Sequence, residues 1–505
     1  MHKGTRKNGD TGKQRCFSVH IPKTKRSSST DAKARIIQLI DDKQQEFIEC
    51  SDAIWGYAET RFATRQSADA HIRVLENEGF QVVRGVAHMD NAFVATYGTG
   101  KPVIGILAEY DALANLSQVA DLPEKKYLVD HGSGHGCGHN LLGAGALAGA
   151  VGIKSYMEEC GLRGTIKYFG CPAEESGYGK SFMAKFGVFD GIDAALTWHP
   201  SDASLLWSDG SLAVAQMYFN FKGRAAHAAA APEMGRSALD AAELMNMGVQ
   251  FLREHIIDSA RIHYAFMDAG GESANVVQPS ASLYYFIRAP KSDQVLDIYK
   301  RVEKIAQGAA LMTETEVEIV WDSACKDYVP NKTLGKVLHE NMMHFMPLEI
   351  TPEEEQYEKA LSDTAGEASK KALYGRAKML FPQYDDAKHR EMAAAGLLKE
   401  PVPAEAKLKI GGSTDVGDVS WVAPTAMITV ACEPQGTPPH SWQWVANGKS
   451  SAAHKGMLVA GKSIAMTAYD LLTRPELLEA AAAEQVQNLN GENYHSIIPD
   501  GTLPR

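Results

Sequence analysis

Asp130-His131-Gly132-Ser133-Gly134-His135-Gly136-Cys137-Gly138-His139-Asn140 sets three histidines and a cysteine among four glycines, directly ahead of the proline-free apolar run Leu141 to Ile153. That run, rich in Ala and Leu, predicts a buried helix. The histidines and the thiol then lie in a glycine-rich loop feeding a helix N-terminus. Backbone N–H groups and the helix dipole favour negative charge there and lower a thiol's pKa. A thiolate and neutral imidazoles in one tight loop are good ligands for a transition metal. The plainer alternative is a flexible glycine loop with incidental histidines.

Outward from this loop, the patterning is that of an α/β protein. Upstream, Ile36, Ile37, Leu39 and Ile40 open an amphipathic helix, and Ala68 to Glu78 form another that stops at Gly79. Phe80 to Val83 and Ala92 to Tyr97 read as strands. Val103 to Ala108 is continuously apolar, as in a strand buried on both faces, and runs into Glu109-Tyr110-Asp111. Thr165 to Gly170 runs into Cys171-Pro172-Ala173-Glu174-Glu175, and Ala194 to Trp198 runs into His199-Pro200. Further on, Ala426 to Ala431 is a strand, His440 follows in a turn-rich loop, and Gly456 to Leu472 is a long apolar helix. Strands alternating with helices predict a mixed, largely parallel sheet with helices on both faces. Ligands bind such sheets at the carboxyl ends of strands. Glu109, Asp111, Glu174, Glu175 and His199 all fall at such ends.

From Ala213 the character changes. Ala213 to Phe221, Ser282 to Arg288 and Glu316 to Trp321 read as strands, and Arg236 to Leu252 and Val295 to Met312 as amphipathic helices. This strand-helix-strand-helix-strand order predicts a smaller α+β domain, residues 213–327, inserted into a larger one made of residues 31–212 and 328–505. Residues 350–405 read as helical surface sequence, and Gly411 to Asp418 as a loop. Residues 1–30, basic and polar, read as a disordered tail.

The chain has 505 residues, enough for two or more domains, and a net charge of -11. Nucleic acid is therefore an unsuitable partner, because phosphate binding needs a basic surface. No apolar run is long enough to span a bilayer, so no membrane association is expected. Seven scattered cysteines, odd in number, argue against a disulfide framework and for a reducing, cytoplasmic compartment.

Cys137, His139, Glu174, Glu175, His199 and His440 together supply thiolate, imidazole and carboxylate, the ligand types for Zn, Mn or Co. Such a set exceeds the needs of one zinc and suits two divalent metal ions roughly 3.5–4 Å apart with a water between them. One of the two adjacent glutamates would then hold a metal while the other moves the water's proton to a leaving nitrogen. That is metal-assisted amide hydrolysis. Taken singly, each residue has an ordinary explanation, and Cys137 could instead be a nucleophile with His139 as its base. That alternative leaves Glu174, Glu175 and His199 unexplained.

Gly136-Cys137-Gly138-His139-Asn140, Pro172-Ala173-Glu174-Glu175, Trp198-His199-Pro200 and Arg224-Ala225-Ala226-His227-Ala228-Ala229 resemble motifs of the M20 metallo-amidohydrolases, the group of bacterial carboxypeptidases, aminoacylases and auxin-conjugate hydrolases. The resemblance runs from about residue 45 to the C-terminus. It implies metal ligation by Cys137, His139, Glu175, His199 and His440, with Glu174 as general base. It implies that the inserted domain is a lid and dimerisation domain whose His227 and Asn275 stabilise the oxyanion, typically in a neighbouring subunit's site. Arg288 is a candidate for gripping a substrate carboxylate. The implied substrate is an N-acyl amino acid, with an aromatic acyl group such as p-aminobenzoyl on glutamate. The implied assembly is a homodimer, or a heterodimer with a related subunit. A non-catalytic or regulatory subunit, and a dipeptidase or acyl-amino-acid hydrolase of other specificity, are the alternatives. Many members place His-x-Asp after the third strand, where this chain has Leu107-Ala108-Glu109. His131 and His135 stay outside the expected ligand set, and Asp418 has no assigned role.

Overall fold

The computed structural model describes residues 29–404, 406 and 412–505. The basic stretch 1–28 lies outside the described residues, and so does that part of the tail expectation. Ser29 and Thr30 do not belong to a tail. They form the first turn of α1, where Asp31 meets the positive end of the helix dipole.

Three helices come first: α1 (Ser29–Asp41), α2 (Gln44–Tyr57) and α3 (Arg65–Asn77). Then follow β1 (Gln81–Arg84), β2 (Phe93–Thr99), β3 (Val103–Glu109), α4 (His139–Cys160), β4 (Gly164–Cys171), α5 (Gly179–Lys185), β5 (Ala194–Ser201) and β6 (Leu205–Leu206). The second half of the larger unit carries α8 (Lys332–Met343), α9 (Pro352–Ser362), α10 (Glu367–Leu380), α11 (Asp386–Ala394), α12 (Val416–Val422), β11 (Thr425–Ala431), α13 (Trp442–Asn447), α14 (Ser451–Thr473) and α15 (Pro475–Asn488). Between them lie β7 (Ala213–Lys222), α6 (Ala238–Leu252), β8 (Arg261–Asp268), β9 (Ser280–Ala289), α7 (Ser292–Thr313) and β10 (Glu316–Cys325).

The seven-stranded sheet runs β1-β2-β4-β3-β5-β11-β6. Its centre, β4-β3-β5-β11, is parallel, and β1, β2 and β6 are antiparallel additions at the edges. The period of two sends Ile104, Ile106 and Ala108 of β3 into one core and Leu107 into the other, so both faces are covered. On the first face, α4 and α14 pack on each other and on the central strands. Small residues permit this approach: a Cβ on Gly145 would stand 2.7 Å from the Trp198 ring. Trp198 in turn donates to Leu142 O at 2.9 Å, which fixes the end of β5 just before His199.

The smaller sheet, β10-β7-β9-β8, is antiparallel throughout. Sequence reading expected three strands here, and the structure has four. The additional strand, β8, is an edge strand with Ile262 as its single buried residue, so it carries no clear inward-facing apolar alternation. The two-residue β6 was likewise missed. Residues 350–405 are more than surface sequence. Ala377, Leu380, Phe381, Met392 and Leu398 form a small core with Leu205. No described helix is long and apolar enough to cross a membrane.

Candidate metal centre

Every ligand candidate sits at the carboxyl edge of the parallel strands. His139 opens α4, Glu174 and Glu175 follow β4, His199 lies in β5, and His440 follows β11. Gly138, between Cys137 and His139, has φ 69 and lies so close to Pro200 that a Cβ would meet its Cγ at 2.7 Å. A side chain there would be strained and would push the loop from the end of β5. Ala173, at φ 61, is a non-glycine residue in the left-handed region immediately before the two glutamates. Its carbonyl accepts from Gly177 N and Tyr178 N, closing the turn that presents them. His440 also has positive φ, 59, and its N–H donates to Gly136 O at 2.9 Å, tying the two ligand loops together.

The side chains form two groups that share the thiol. Cys137, His139 and His199 place one ligand atom each within 4.8 Å of one another, and so do Cys137, Glu175 and His440. Cys137 Sγ is 3.5 Å from His199 Nε2, and His440 Nε2 is 3.3 Å from Glu175 Oε2. The five residues expected as ligands are therefore brought together. Glu174 joins Glu109 and His139 in a third such group.

The donor set fits cations. His139 Nδ1 is 3.1 Å from Asp111 Oδ1, which assigns its proton to Nδ1 and leaves the Nε2 lone pair facing inward. Nε2 then faces Glu109 Oε2 at 3.2 Å and Glu175 Oε1 at 3.9 Å. All three atoms are buried without a hydrogen-bond partner. Lone pairs do not converge in a dry interior unless a positive charge lies among them. Burial opposes charge on His139, but its bonds to Asp111 and Cys137 and the nearby carboxylates outweigh that and raise its pKa well above the usual range, so this position attracts positive charge at Nε2, where a proton and a metal cation compete. Burial, with His139 nearby, lowers His199 to about 4, so that ring is neutral at physiological pH. Burial first, then Glu109, Glu175 and Asp415, raises Glu174 well above an ordinary carboxyl, the direction a proton carrier needs.

Sequence reading missed a supporting layer. Asp111 accepts from His139 with one oxygen and from the Glu175 N–H at 3.0 Å with the other, so one carboxylate orients two ligand candidates. Lys180, fully buried on α5, reaches Glu109 and Asp415 at 2.6 Å each, and its backbone N–H donates to Asp415 at 2.8 Å. The strand-end position of Asp111 was a usable signal. Nothing in the sequence near Lys180 announced that it meets Asp415, 235 residues away. Asp418 is structural: it accepts from Ser181, Lys326 N and Tyr494, joining α5, the end of β10 and the C-terminal segment. His135 is buried with Nε2 3.0 Å from Ile54 O, and the His131 side chain is 87% exposed on the surface, so neither joins the ligands.

The lid candidates stand elsewhere. His227 and Asn275 are exposed and lie on adjoining loops, where His227 bridges Val276 and Ala228 N donates to Asn275 O. Neither has a contact with the metal-ligand side chains. Arg288, on β9, donates to Ser413 at 2.6 Å and has no carboxylate partner among the described residues.

Residues 105–447, more than half of the chain, match Peptidase family M20/M25/M40. Over 481 residues the chain is 44% identical to the B polypeptide of the p-aminobenzoyl-glutamate hydrolase of Escherichia coli (strain K12), covering 93% of this chain and 98% of the relative. It is 27% identical over 469 residues to the Xaa-Arg dipeptidase of Mus musculus, covering 90% of this chain and 91% of the relative. A solved aminobenzoyl-glutamate utilization protein from Klebsiella pneumoniae shares the fold, with a TM-score of 0.59 at 16% identity over 87% of this chain and 98% of that one. With its strand-end cluster of thiol, imidazoles and carboxylates, the chain belongs to peptidase family M20/M25/M40 and is an amidohydrolase.

Proposed function

We propose that the chain hydrolyses the amide bond of an N-acyl amino acid, an aromatic acyl-glutamate such as p-aminobenzoyl-glutamate, with Glu174 as general base. The observation that carries this reading is the position of Glu174. It is the residue before the ligand candidate Glu175, and it shares a group with His139 and Glu109. The substrate class rests on the relative at 44% identity. Cys137, His139 and His199 would hold one divalent cation of the Zn, Mn or Co class, and Cys137, Glu175 and His440 a second. Such a pair, when bound, acidifies a water and polarises a carbonyl oxygen. Glu174 takes the proton from that water as its oxygen adds to the carbonyl carbon. It then delivers the proton to the amide nitrogen as the C–N bond breaks. Asp111 holds His139 and the Glu175 backbone in place. Arg288, unpaired with any carboxylate, would grip the substrate's own. His227 and Asn275 would donate to the oxyanion of a neighbouring subunit's substrate, in a homodimer or in a heterodimer with a related chain. The six described cysteines are all free, which supports a cytoplasmic location.

Glu174→Gln tests the assignment. With metal content unchanged by elemental analysis, hydrolysis of p-aminobenzoyl-glutamate should fall about 10²–10⁴-fold. Near-normal turnover would remove Glu174 from the mechanism. An Xaa-Arg dipeptide assayed beside it reports on the specificity.

A further inference from the structure

A second group of buried oxygens lies behind the metal centre and is used by nothing described above. Glu358 comes from α9, Glu433 from the segment after β11, and Asn447 from the end of α13. All three are fully buried. Both oxygens of Glu433, Oε2 of Glu358 and Oδ1 of Asn447 have no hydrogen-bond partner. The Asn447 side chain is close enough to both carboxyls to favour their charged forms, and Glu358 is close enough to Glu433 to oppose its charge, so the three are neighbours. Asn447 Nδ2 is already committed to Cys432 O at 2.6 Å, which leaves Oδ1 as the free atom. Ser450 Oγ adds a further oxygen, 3.4 Å from Glu358 Oε1. Among the described residues, no lysine, arginine or histidine forms an ion pair with either glutamate, and the nearby Asp202 is itself paired with Arg376.

Two carboxylates in a dry interior without a counter-charge are prohibitively costly. Burial raises both, Glu358 to about 8 with a smaller push from Glu355 and Glu354, and Glu433 with a further push from Glu358. We propose that Glu358, Glu433 and Asn447 bind one hard divalent cation of the calcium or magnesium class, separate from the catalytic pair. Two carboxylates neutralise a 2+ charge, and an all-oxygen donor set selects a hard ion over zinc. The position suggests what the ion does. Glu433 N donates to Ser201 O at 3.1 Å, and Glu433 Oε1 stands 3.4 Å from where a Cβ on Gly138 would be. The segment that begins at Glu433 ends at His440. An ion here ties α9 and α13 to the back of the Cys137–His139 loop and to the root of the His440 loop.

The test uses the full chain stripped of metal with a chelator, titrated calorimetrically with Ca²⁺ alone and then with Mg²⁺ alone. One ion per chain is expected, with a rise in Tm by mass action. Glu433→Gln and Glu358→Gln should each weaken binding about tenfold or more, while Cys137→Ser leaves it unchanged. Amide replacement removes buried charge, so both variants are expected to fold, and circular dichroism confirms it. The proposal fails if the wild type binds neither ion at millimolar concentration, which would mean the pair shares protons instead. It also fails if Cys137→Ser abolishes binding and Glu433→Gln does not.

Discussion

The strand-end cluster and the lid loops carry the same kinds of side chain under opposite conditions. Around Cys137, three ligand candidates are tied to another element: His139 to Asp111, Glu175 to Asp111 through its N–H, and His440 to Gly136. On the lid, His227 is exposed and its Nδ1 accepts from the N–H groups of its own loop, Ala229 and Ala230, at 3.2 and 3.1 Å. A preorganised metal site gains from burial, since low dielectric strengthens each bond to the cation. An oxyanion donor that serves a second copy must stay accessible until that copy arrives. The contrast is that of a buried cluster of ligand candidates and an exposed pair of donor candidates on the lid.

Breaking the shared thiol should have the largest effect. Cys137 belongs to both ligand groups, so Cys137→Ser should strip both metals and abolish hydrolysis, with metal content as the readout. An acyl-enzyme route predicts instead that the wild type accumulates a covalent intermediate visible by mass spectrometry. His227→Ala should leave metal content intact and lower kcat by about 10²–10³-fold, the cost of one oxyanion donor. Mixing that variant with Glu174→Gln sharpens the comparison. If a second copy of this chain completes the site, mixed dimers pair an intact Glu174 with an intact His227, and about a quarter of wild-type activity returns. No recovery would place the oxyanion donor within the same chain.

The sequence made the parallel sheet legible because strands buried on both faces are continuous apolar runs, as Val103 to Ala108 shows. The candidate cluster was legible because these residues fall at the carboxyl ends of neighbouring parallel strands, which lie side by side in the fold. The lid's fourth strand was not, because β8 lies at an edge with one residue buried. Lys180 was not legible either. Its identity matters through Glu109 and Asp415, and only the folded chain brings those together. Glu358 and Glu433 were invisible for the same reason: glutamates usually face solvent, and burial is a property of packing.

Asp111→Asn probes the support beneath the cluster at a smaller scale. The amide keeps the shape and can still accept from the Glu175 N–H. It cannot hold the His139 ring with a full charge. Metal affinity should fall about 10–100-fold, and activity should recover in excess metal. A loss that excess metal does not repair would mean that Asp111 acts on more than ligand orientation.

The smallest expected effect separates the two regions by pH. Burial pushes His71 and His135, both in the larger unit, down to about 3. His71 Nδ1 lies 2.9 Å from the Tyr168 hydroxyl, which also faces Gly143 O at 3.2 Å, while His135 is held by Ile54 O. In the unfolded chain each imidazole protonates near pH 6.5. Between about pH 6.5 and 3 the unfolded state therefore binds more protons, and stability falls as pH falls. The lid histidines His227, His255 and His263 are all exposed. On acidification, amides of α3 and α4 should lose hydrogen-exchange protection before those of β7 and β9. His71→Asn keeps a hydrogen-bonding group beside Tyr168 and removes one titrating group, so the pH slope of stability between 5.5 and 4 should fall by about one proton per chain. An unchanged slope would mean that His71 takes up its proton without unfolding the core around it.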